Sequence, residues 1–100
     1  MSETITANIP HQLGREEARR RIAEGMDGFA DAIPGGAVTE KRWEQDTAFF
    51  TIEALGQRLA CRLDVTEDAV IATFELPALL GPFAGAIRRK LEEYGPKLLR

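Results

Sequence analysis

The chain has 100 residues, of which 44% are hydrophobic and 29% are charged, and this composition is ordinary for a single globular domain spanning residues 1–100. Disordered and fibrous chains are excluded because the apolar fraction is large enough to form a core. The net charge of −3, with both signs interspersed, excludes the basic field that nucleic-acid-binding domains present.

The cellular compartment is indicated by the single cysteine and by the lack of long apolar segments. Cys61 has no partner for a disulfide within the chain, which favours a reducing compartment. The first ten residues lack the basic and apolar regions of a secretory signal. The longest uncharged stretch, Leu76 to Ile87, is too short to cross a bilayer. We therefore expect a cytoplasmic protein without a membrane span.

The first predicted elements are a strand and a long helix. Between Thr4 and Ile9 apolar and polar residues alternate, which is typical of a half-buried strand, and Pro10 ends it. From about Gly14 to Ile33 an apolar residue recurs every three or four positions, which predicts one amphipathic helix. Pro34 and the two glycines after it are expected to stop that helix. Its apolar stripe consists of Ala18, Ile22, Met26, Phe29 and Ile33.

The middle of the chain is predicted to form an antiparallel meander. The segment Val38–Glu44 alternates weakly, as an edge strand does, and Trp43 is expected to point inward. A turn at Leu55-Gly56 then joins the next two strands, although leucine is unusual before glycine in such turns. The inward pairs that this turn predicts are Ile52–Leu59, Phe50–Cys61 and Ala48–Leu63.

A second turn near Thr66-Glu67 is predicted to continue the same register into a strand over Ala69–Leu76. Agreement over three strands supports the register, because a slip of one residue would invert every side chain. The inner pairs expected from it are Leu59–Phe74, Cys61–Ala72 and Leu63–Val70, and Phe49, Ala60 and Ile71 should be neighbours on the outer face.

The last predicted element is a helix that opens at Pro77, since proline is favoured in a first helical turn. Gly95-Pro96 is expected to break or kink this helix before its end. The predicted fold class is α+β, a curved antiparallel sheet with the order β-α-β-β-β-β-α and helices packed on one face. The inward stripe of the last helix consists of Leu80, Phe83, Ile87, Leu91, Tyr94 and Leu98.

The residues that could carry chemistry do not form a recognisable arrangement. His11 is the only histidine, and no clustered carboxylates accompany it, which favours a local hydrogen bond over a metal site. Cys61 is expected inside the core, where a thiol acts as a small hydrophobe. We therefore predict no catalytic residue, no metal and no cofactor, and expect that the protein is not an enzyme. An enzyme would have to depend on His11.

Apolar residues in excess of the core suggest two kinds of site. Neighbouring exposed apolar groups can contact a partner or a hydrophobic surface, although scattered exposure or a homodimer contact is an equally good interpretation. Aromatic side chains between the sheet and the last helix could line a cavity for an apolar ligand, although core packing is the default in so small a domain. The surface candidates are Phe49, Ile71 and Leu79, and the cavity candidates are Trp43, Phe50, Phe74 and Phe83.

A motif at the first strand–helix junction links the chain to a known family. The motif is Ile9-Pro10-His11-Gln12-Leu13-Gly14-Arg15-Glu16-Glu17-Ala18, followed by Trp43, Ala54-Leu55-Gly56, Leu76-Pro77 and Leu79-Leu80. Over nearly its whole length the chain resembles the polyhydroxyalkanoic acid system proteins of proteobacteria. Ala78 stands where that family often has an aromatic residue.

This resemblance implies a non-enzymatic accessory or binding protein of polyhydroxyalkanoate synthesis, with the granule surface or granule proteins as partners. It supplies no catalytic residues. The element order is also similar to a shortened helix-grip fold, which implies a carrier of small apolar ligands as an alternative. A second alternative is a small homodimeric interaction module that pairs through the outer sheet face.

Overall fold

In the described part of the chain five strands and two α-helices follow one another in the order β-α-β-β-β-β-α, which confirms the predicted α+β fold. The structure is a computed structural model that describes residues 3–32 and 35–99. Ile33 and Pro34, which were predicted to end the first helix, lie outside the described residues. The elements are β1 (Glu3–Pro10), α1 (Arg15–Gly25), a first 3₁₀ helix (Met26–Ala32), β2 (Ala37–Glu44), β3 (Thr47–Ala54), β4 (Gln57–Val65), β5 (Ala69–Leu76), a second 3₁₀ helix (Ala78–Phe83) and α2 (Ala84–Leu98).

The five strands form one antiparallel sheet with the order β1-β5-β4-β3-β2. Strand β2 lies at one edge, as its weak alternation predicts, and its pairing shifts between Val38 and Glu40. Strand β1 lies at the other edge, where Ile5 faces Phe74 across the β1–β5 pair. No local sequence pattern indicates that the first strand pairs with the last strand.

The β3–β4 hairpin has the predicted turn and the predicted register. Leu55 and Gly56 both have positive φ angles, 54° and 74°, as a two-residue type I′ turn requires. Glu53 faces Arg58 next to the turn, with their side chains on the outer face. The inward pairs are Ile52–Leu59, Phe50–Cys61 and Ala48–Leu63, as expected from the turn.

The predicted register between β4 and β5 is wrong by two residues. Cys61 lies opposite Phe74, not opposite Ala72, and the last pair joins Val65 to Val70. Every side chain keeps its predicted face, because a shift of two residues preserves the alternation of a strand. The predicted pairs Leu59–Phe74 and Leu63–Val70 are absent for the same reason.

Thr66 explains the shift, because its side chain builds a longer turn than the one predicted. The backbone N–H of Thr66 donates to the carbonyl of Ala69 at 2.8 Å, and the Thr66 hydroxyl accepts the Ala69 N–H at 3.1 Å. Residues 66–68 therefore connect β4 to β5, and four residues, 66–69, lie between the members of the innermost pair, Val65 and Val70. Threonine hydroxyls commonly close turns of this kind by bonding to nearby backbone.

The first helical segment is not one continuous α-helix, which corrects the prediction of a single helix from Gly14 to Ile33. The α-helix ends at Gly25 and continues as the 3₁₀ helix Met26–Ala32. Two glycines let α2 approach this junction closely, since a Cβ at Gly25 would overlap Leu98 and a Cβ at Gly28 would overlap Tyr94. The predicted inward residues of the described part, from Ala18 to Phe29, are buried.

The last helix differs from the prediction at both ends. It begins as a 3₁₀ helix after Pro77 and becomes α-helical only at Ala84. The break expected at Gly95-Pro96 does not occur, and α2 continues to Leu98. The carbonyl of Gly95 still accepts the N–H of Leu99 at 3.1 Å. Since proline has no N–H, the last turn lacks only the hydrogen bond that residue 96 would otherwise donate.

The core lies between one face of the sheet and the helical segments, all of which pack on that face. Alternate residues of β3, β4 and β5 are buried, and the intervening residues face outward. Leu80, Ile87 and Leu91 bring the predicted stripe of the last helical segment into the core. Within residues 3–32 and 35–99 no helix is long and apolar enough to cross a membrane.

Candidate functional site

One end of the sheet carries an exposed apolar surface. At this end β3 turns into β4, and β5 leads into the second 3₁₀ helix. Leu55 is 54% exposed and Leu79 is 63% exposed, and among the described residues these are the large hydrophobic side chains that remain exposed. We call Leu55 together with residues 77–86 the apolar tip. Both leucines lie at one end of the sheet because β4 runs antiparallel to β3 and to β5, which brings the start of β4 beside the ends of β3 and β5.

The geometry of the second 3₁₀ helix explains why Leu79 points away from the core. A 3₁₀ helix has three residues per turn, so side chains three positions apart share one face. Leu80 and Phe83 share the inward face, where Leu80 is fully buried. Leu79 and Pro82 consequently share an outward face, and both are exposed. The turn is held by the N–H of Leu80, which donates to the carbonyl of Pro77 at 2.9 Å.

Leu55 is an unusual residue for its position in two respects. Its φ angle of 54° lies in the left-handed region, which asparagine, aspartate and glycine adopt more easily than leucine. Its side chain is also more than half exposed, so burial does not compensate for the backbone conformation. A residue that satisfies neither backbone nor burial preferences is a candidate for function.

Basic side chains next to the apolar tip form no ion pair with an acidic residue in the part of the chain that the structure describes. Arg88, Arg89 and Lys90 are exposed on the first turns of α2, and residues 77–91 contain no acidic residue. Arg88 donates to the backbone carbonyl of Thr6 in β1 at 3.3 Å, which fixes α2 against the sheet edge. Among the described residues the basic side chains outside α2 all take part in ion pairs.

On the outer sheet face the apolar candidates Phe49 and Ile71 lie in different rows, and not in the same row as expected. Phe49 is half-buried between two guanidinium groups, with the Arg42 and Arg62 Cζ atoms 4.4 and 5.7 Å from the ring centroid. Ile71 lies opposite Asp64 and Asn8, one row away from Phe49. The two-residue register shift is the cause, because it replaces Ile71 by a threonine in the row of Phe49. A homodimer through this face stays a prediction.

The aromatic candidates for a ligand cavity lie in different places. Phe50 and Phe74 are buried, with ring centroids 5.9 Å apart, and Phe29 contacts both at 6.0 and 6.4 Å. The three rings thus pack against one another as one aromatic cluster. Trp43 lies at the opposite end of the sheet from Phe83 and is inward, beside Ala48. The ligand-carrier alternative stays a prediction, and these four residues do not converge on one cavity.

A small groove lies between the first 3₁₀ helix and α2. It has a volume of about 210 Å³ and is lined by the apolar or aromatic residues Phe29, Leu91 and Tyr94 and by the charged residues Lys90, Glu93 and Lys97. Cavities that hold drug-sized ligands usually have volumes of about 300–1,000 Å³. The groove is therefore too small to enclose more than a short ligand.

His11 joins the first strand–helix junction to the β4–β5 turn. It is 7% exposed, its Nε2 lies 3.2 Å from the carbonyl of Thr66, and its Nδ1 accepts the N–H of Leu13 at 3.2 Å. This arrangement needs the ring proton on Nε2, which donates to Thr66. The backbone N–H of His11 also donates to the carbonyl of Asp68 at 2.9 Å. Both ring nitrogens are therefore engaged within the fold, as a local structural histidine predicts.

Cys61 is buried on β4 and lies against the aromatic core. Burial raises the pKa of its thiol far above the ordinary value, and its Sγ lies 3.6 Å from the carbonyl of Leu59. A thiol in this state is protonated at neutral pH and is a poor nucleophile. Within residues 3–32 and 35–99 no group of three or more His, Cys, Asp or Glu residues is placed to hold a metal ion.

Sequence reasoning found only part of this site. It selected Leu79, which the structure places at the apolar tip, and it noted Leu55 only as an unusual turn residue. It did not select Arg89 or Lys90, although three consecutive basic residues follow an uncharged segment. That change from uncharged to basic sequence is the signal that could have identified them.

Comparisons with known proteins identify a family and no individual relative. A family model described as "Putative polyhydroxyalkanoic acid system protein" matches residues 5–99. The comparisons with curated proteins and with solved structures found no match.

Proposed function

Since the chain belongs to the polyhydroxyalkanoic acid system protein family, we propose that it is a non-enzymatic accessory protein that binds the surface of polyhydroxyalkanoate granules. In this proposal the contact surface is the apolar tip. The protein acts in the cytoplasm, at the surface of the granule.

The observation that carries the proposal is the exposure of Leu55 and Leu79 at one end of the sheet. Burying a leucine side chain that was exposed is worth about 1.5–3 kcal/mol. Two such side chains, supported by the smaller apolar residues of the tip, favour a weak and reversible contact with a hydrophobic surface. A tip at the end of the molecule can make this contact while the charged parts of the chain remain in water.

The engagement of His11 and Cys61 within the fold supports a non-enzymatic role. Catalysis by His11 would require a free ring nitrogen, and both of its nitrogens are bonded within the first junction and the β4–β5 turn. Catalysis by Cys61 would require an accessible thiolate, whereas burial raises the pKa of this thiol. The proposed function therefore depends on the apolar tip as a contact surface and not on a catalytic residue.

Co-sedimentation of the purified protein with isolated polyhydroxyalkanoate granules tests the proposal. We expect the wild type to sediment with granules and Leu79→Glu to remain largely in the supernatant, because the variant would bring a charge into the contact. Ala23→Glu is the matched control, since it places the same carboxylate at an exposed position of α1 away from the tip. Equal sedimentation of Leu79→Glu and wild type would contradict the role of the tip, and no sedimentation of the wild type would contradict granule binding.

A further inference from the structure

The distribution of unpaired basic side chains points to the chemistry of the surface that the apolar tip contacts. Arg89 and Lys90 are exposed, and within the described part of the chain neither takes part in an ion pair. Lys97, near the C-terminal end of α2, is also exposed and takes part in no ion pair within the described residues. The rest of the described chain neutralises its basic groups locally, so free positive charge is concentrated on one helix that begins at the tip.

We infer that the apolar tip docks on an anionic phospholipid surface, with Leu55 and Leu79 in the acyl boundary and Arg89 and Lys90 against the phosphates. This inference rests on the proposed function and specifies the surface. An apolar segment followed by basic residues is the pattern by which peripheral proteins bind anionic membranes. The bare polyester is uncharged, so it would make no use of the basic residues.

The dimensions of α2 agree with this arrangement. An α-helix rises 1.5 Å per residue, so Arg89 lies about 8 Å along the axis from Ala84, where α2 leaves the tip. Apolar groups of interfacial helices enter the headgroup boundary by about 5–10 Å. Arg89 and Lys90 would therefore lie near the phosphates when Leu79 is inserted. Lys97 lies about 20 Å along the axis and would remain in solution.

The end of the sheet that carries the tip also holds carboxylates, on Glu3, Glu53 and Glu75. Glu53 lies 3.8 Å from Arg58, and Glu92 and Glu93 lie about one turn beyond Arg88 and Arg89. Attraction to the surface therefore comes from direct contact of Arg89 and Lys90 with the phosphates, and not from the field of the whole chain, whose net charge is −3.

Vesicle flotation tests the inference. The probes are vesicles of phosphatidylcholine alone and of an equal mixture of phosphatidylcholine and phosphatidylglycerol. We expect the wild type to float with the mixed vesicles and not with the neutral ones. We also expect flotation to fall when salt rises from about 0.1 M to about 1 M, which shortens the Debye length from about 10 Å to about 3 Å.

Two charge reversals on the same helix provide a matched pair. Arg89→Glu should weaken binding to the mixed vesicles by about tenfold or more, since each basic residue near an anionic surface contributes about a factor of five. Lys97→Glu makes the same change of charge farther from the tip and should bind nearly as the wild type does. Both sites are exposed, and circular dichroism would confirm that both variants are folded.

Three results would overturn the inference: equal binding to neutral and mixed vesicles, no binding to either, or equal losses in Arg89→Glu and Lys97→Glu. Particles of lipid-free polyhydroxybutyrate separate this inference from the proposed function. Binding to these particles together with no binding to mixed vesicles would retain the granule contact and overturn the lipid contact. Binding to mixed vesicles with no binding to isolated granules would support the lipid contact and overturn the granule function.

Discussion

The phenolic hydroxyl of Tyr94 donates a hydrogen bond to the backbone carbonyl of Gly25, at a distance of 2.7 Å. This bond satisfies a carbonyl at the end of α1, where the backbone changes from α-helical to 3₁₀ geometry. The Tyr94 ring meets Phe29 edge to face, with centroids 5.0 Å apart. One side chain of α2 thus holds the helical junction and contacts the aromatic core.

We predict that Gly28→Ala destabilises the fold, because the new methyl group would overlap the hydroxyl end of Tyr94. The expected loss is about 1–3 kcal/mol of unfolding free energy, as for other overpacked sites. Gly85→Ala is the matched control, since a Cβ there meets open space and alanine favours helix by about 0.5–1 kcal/mol. Urea denaturation measures both changes. A loss in Gly85→Ala as large as that in Gly28→Ala would contradict the explanation.

We predict opposite effects of Leu55→Asn on folding and on surface binding. Asparagine before glycine is favoured in a type I′ turn, so the unfolding free energy should rise by a few tenths to about 1 kcal/mol. Loss of the exposed leucine should weaken sedimentation with granules. Denaturation and co-sedimentation of one preparation give both values. A variant that is more stable and binds granules as the wild type does would remove Leu55 from the contact surface.

We predict that His11→Ala lowers stability without abolishing granule binding by the folded protein. The substitution leaves the N–H of Leu13 and the carbonyl of Thr66 without the His11 partner. Both groups are only partly buried, so we expect a loss near the lower end of the range of about 1–3 kcal/mol for an unsatisfied group. In His11→Asn the amide oxygen can accept the Leu13 N–H, so we expect a smaller loss. Urea denaturation of the two variants checks this order. Unchanged stability together with lost granule binding would contradict a structural role.

We predict that the stability of the fold decreases at alkaline pH through Cys61. Burial raises the pKa of this thiol in the folded state, whereas an unfolded thiol ionises near pH 8.5. The unfolded state therefore releases a proton that the folded state keeps. The stabilisation is complete below about pH 8.5, and its loss above that pH approaches about 1.4 kcal/mol per pH unit.

Urea denaturation between pH 7 and 10 checks the Cys61 prediction, with Cys61→Ala as the control. The alanine variant is expected to start from a lower stability and to lack this contribution to the pH dependence. Identical slopes in the two proteins would contradict the assignment to Cys61.

We predict that Phe49→Lys destabilises the outer sheet face, because it inserts a cation between Arg42 and Arg62 and removes both ring contacts. Cation–π contacts at exposed sites are worth about 0.5–1 kcal/mol each, so the expected loss is about 1–2 kcal/mol. Phe49→Leu keeps an apolar group and should lose less. Sedimentation of the folded variants also tests the homodimer alternative. A wild-type dimer that Phe49→Lys converts to monomer would support that alternative, and an unchanged mass would count against it.

Local patterns predicted the elements better than their long-range arrangement. The β3–β4 hairpin was correct because the turn at Leu55-Gly56 and the alternation on both sides agree within a short stretch of chain. The β4–β5 register was wrong because the Thr66 side chain adds residues to the turn. The pairing of β1 with β5 has no local determinant and was not predicted.

The prediction of the last helix failed at Pro96 because tertiary packing there outweighs local propensity. Gly95 is buried against Ile9 of β1, and a Cβ at this position would overlap the isoleucine side chain. The composition of the apolar tip likewise depends on tertiary structure as well as on local sequence. Leu79 could be chosen from its position off the apolar stripe, whereas the placement of Leu55 at the same end of the sheet as the second 3₁₀ helix depends on the assembled sheet.

The β1–β5 pair also has a consequence for synthesis of the chain. Strand β1 leaves the ribosome first, but its partner strand ends at Leu76 and the helix that packs on Ile9 ends at Leu98. At about 5–20 residues per second the apolar side chains of β1 wait several seconds before their partners exist. The nascent meander of β2 to β5 can form in that time because its contacts are local. The sheet can therefore close only after β5 has been synthesised, and until then the apolar face of β1 lacks its partner strand.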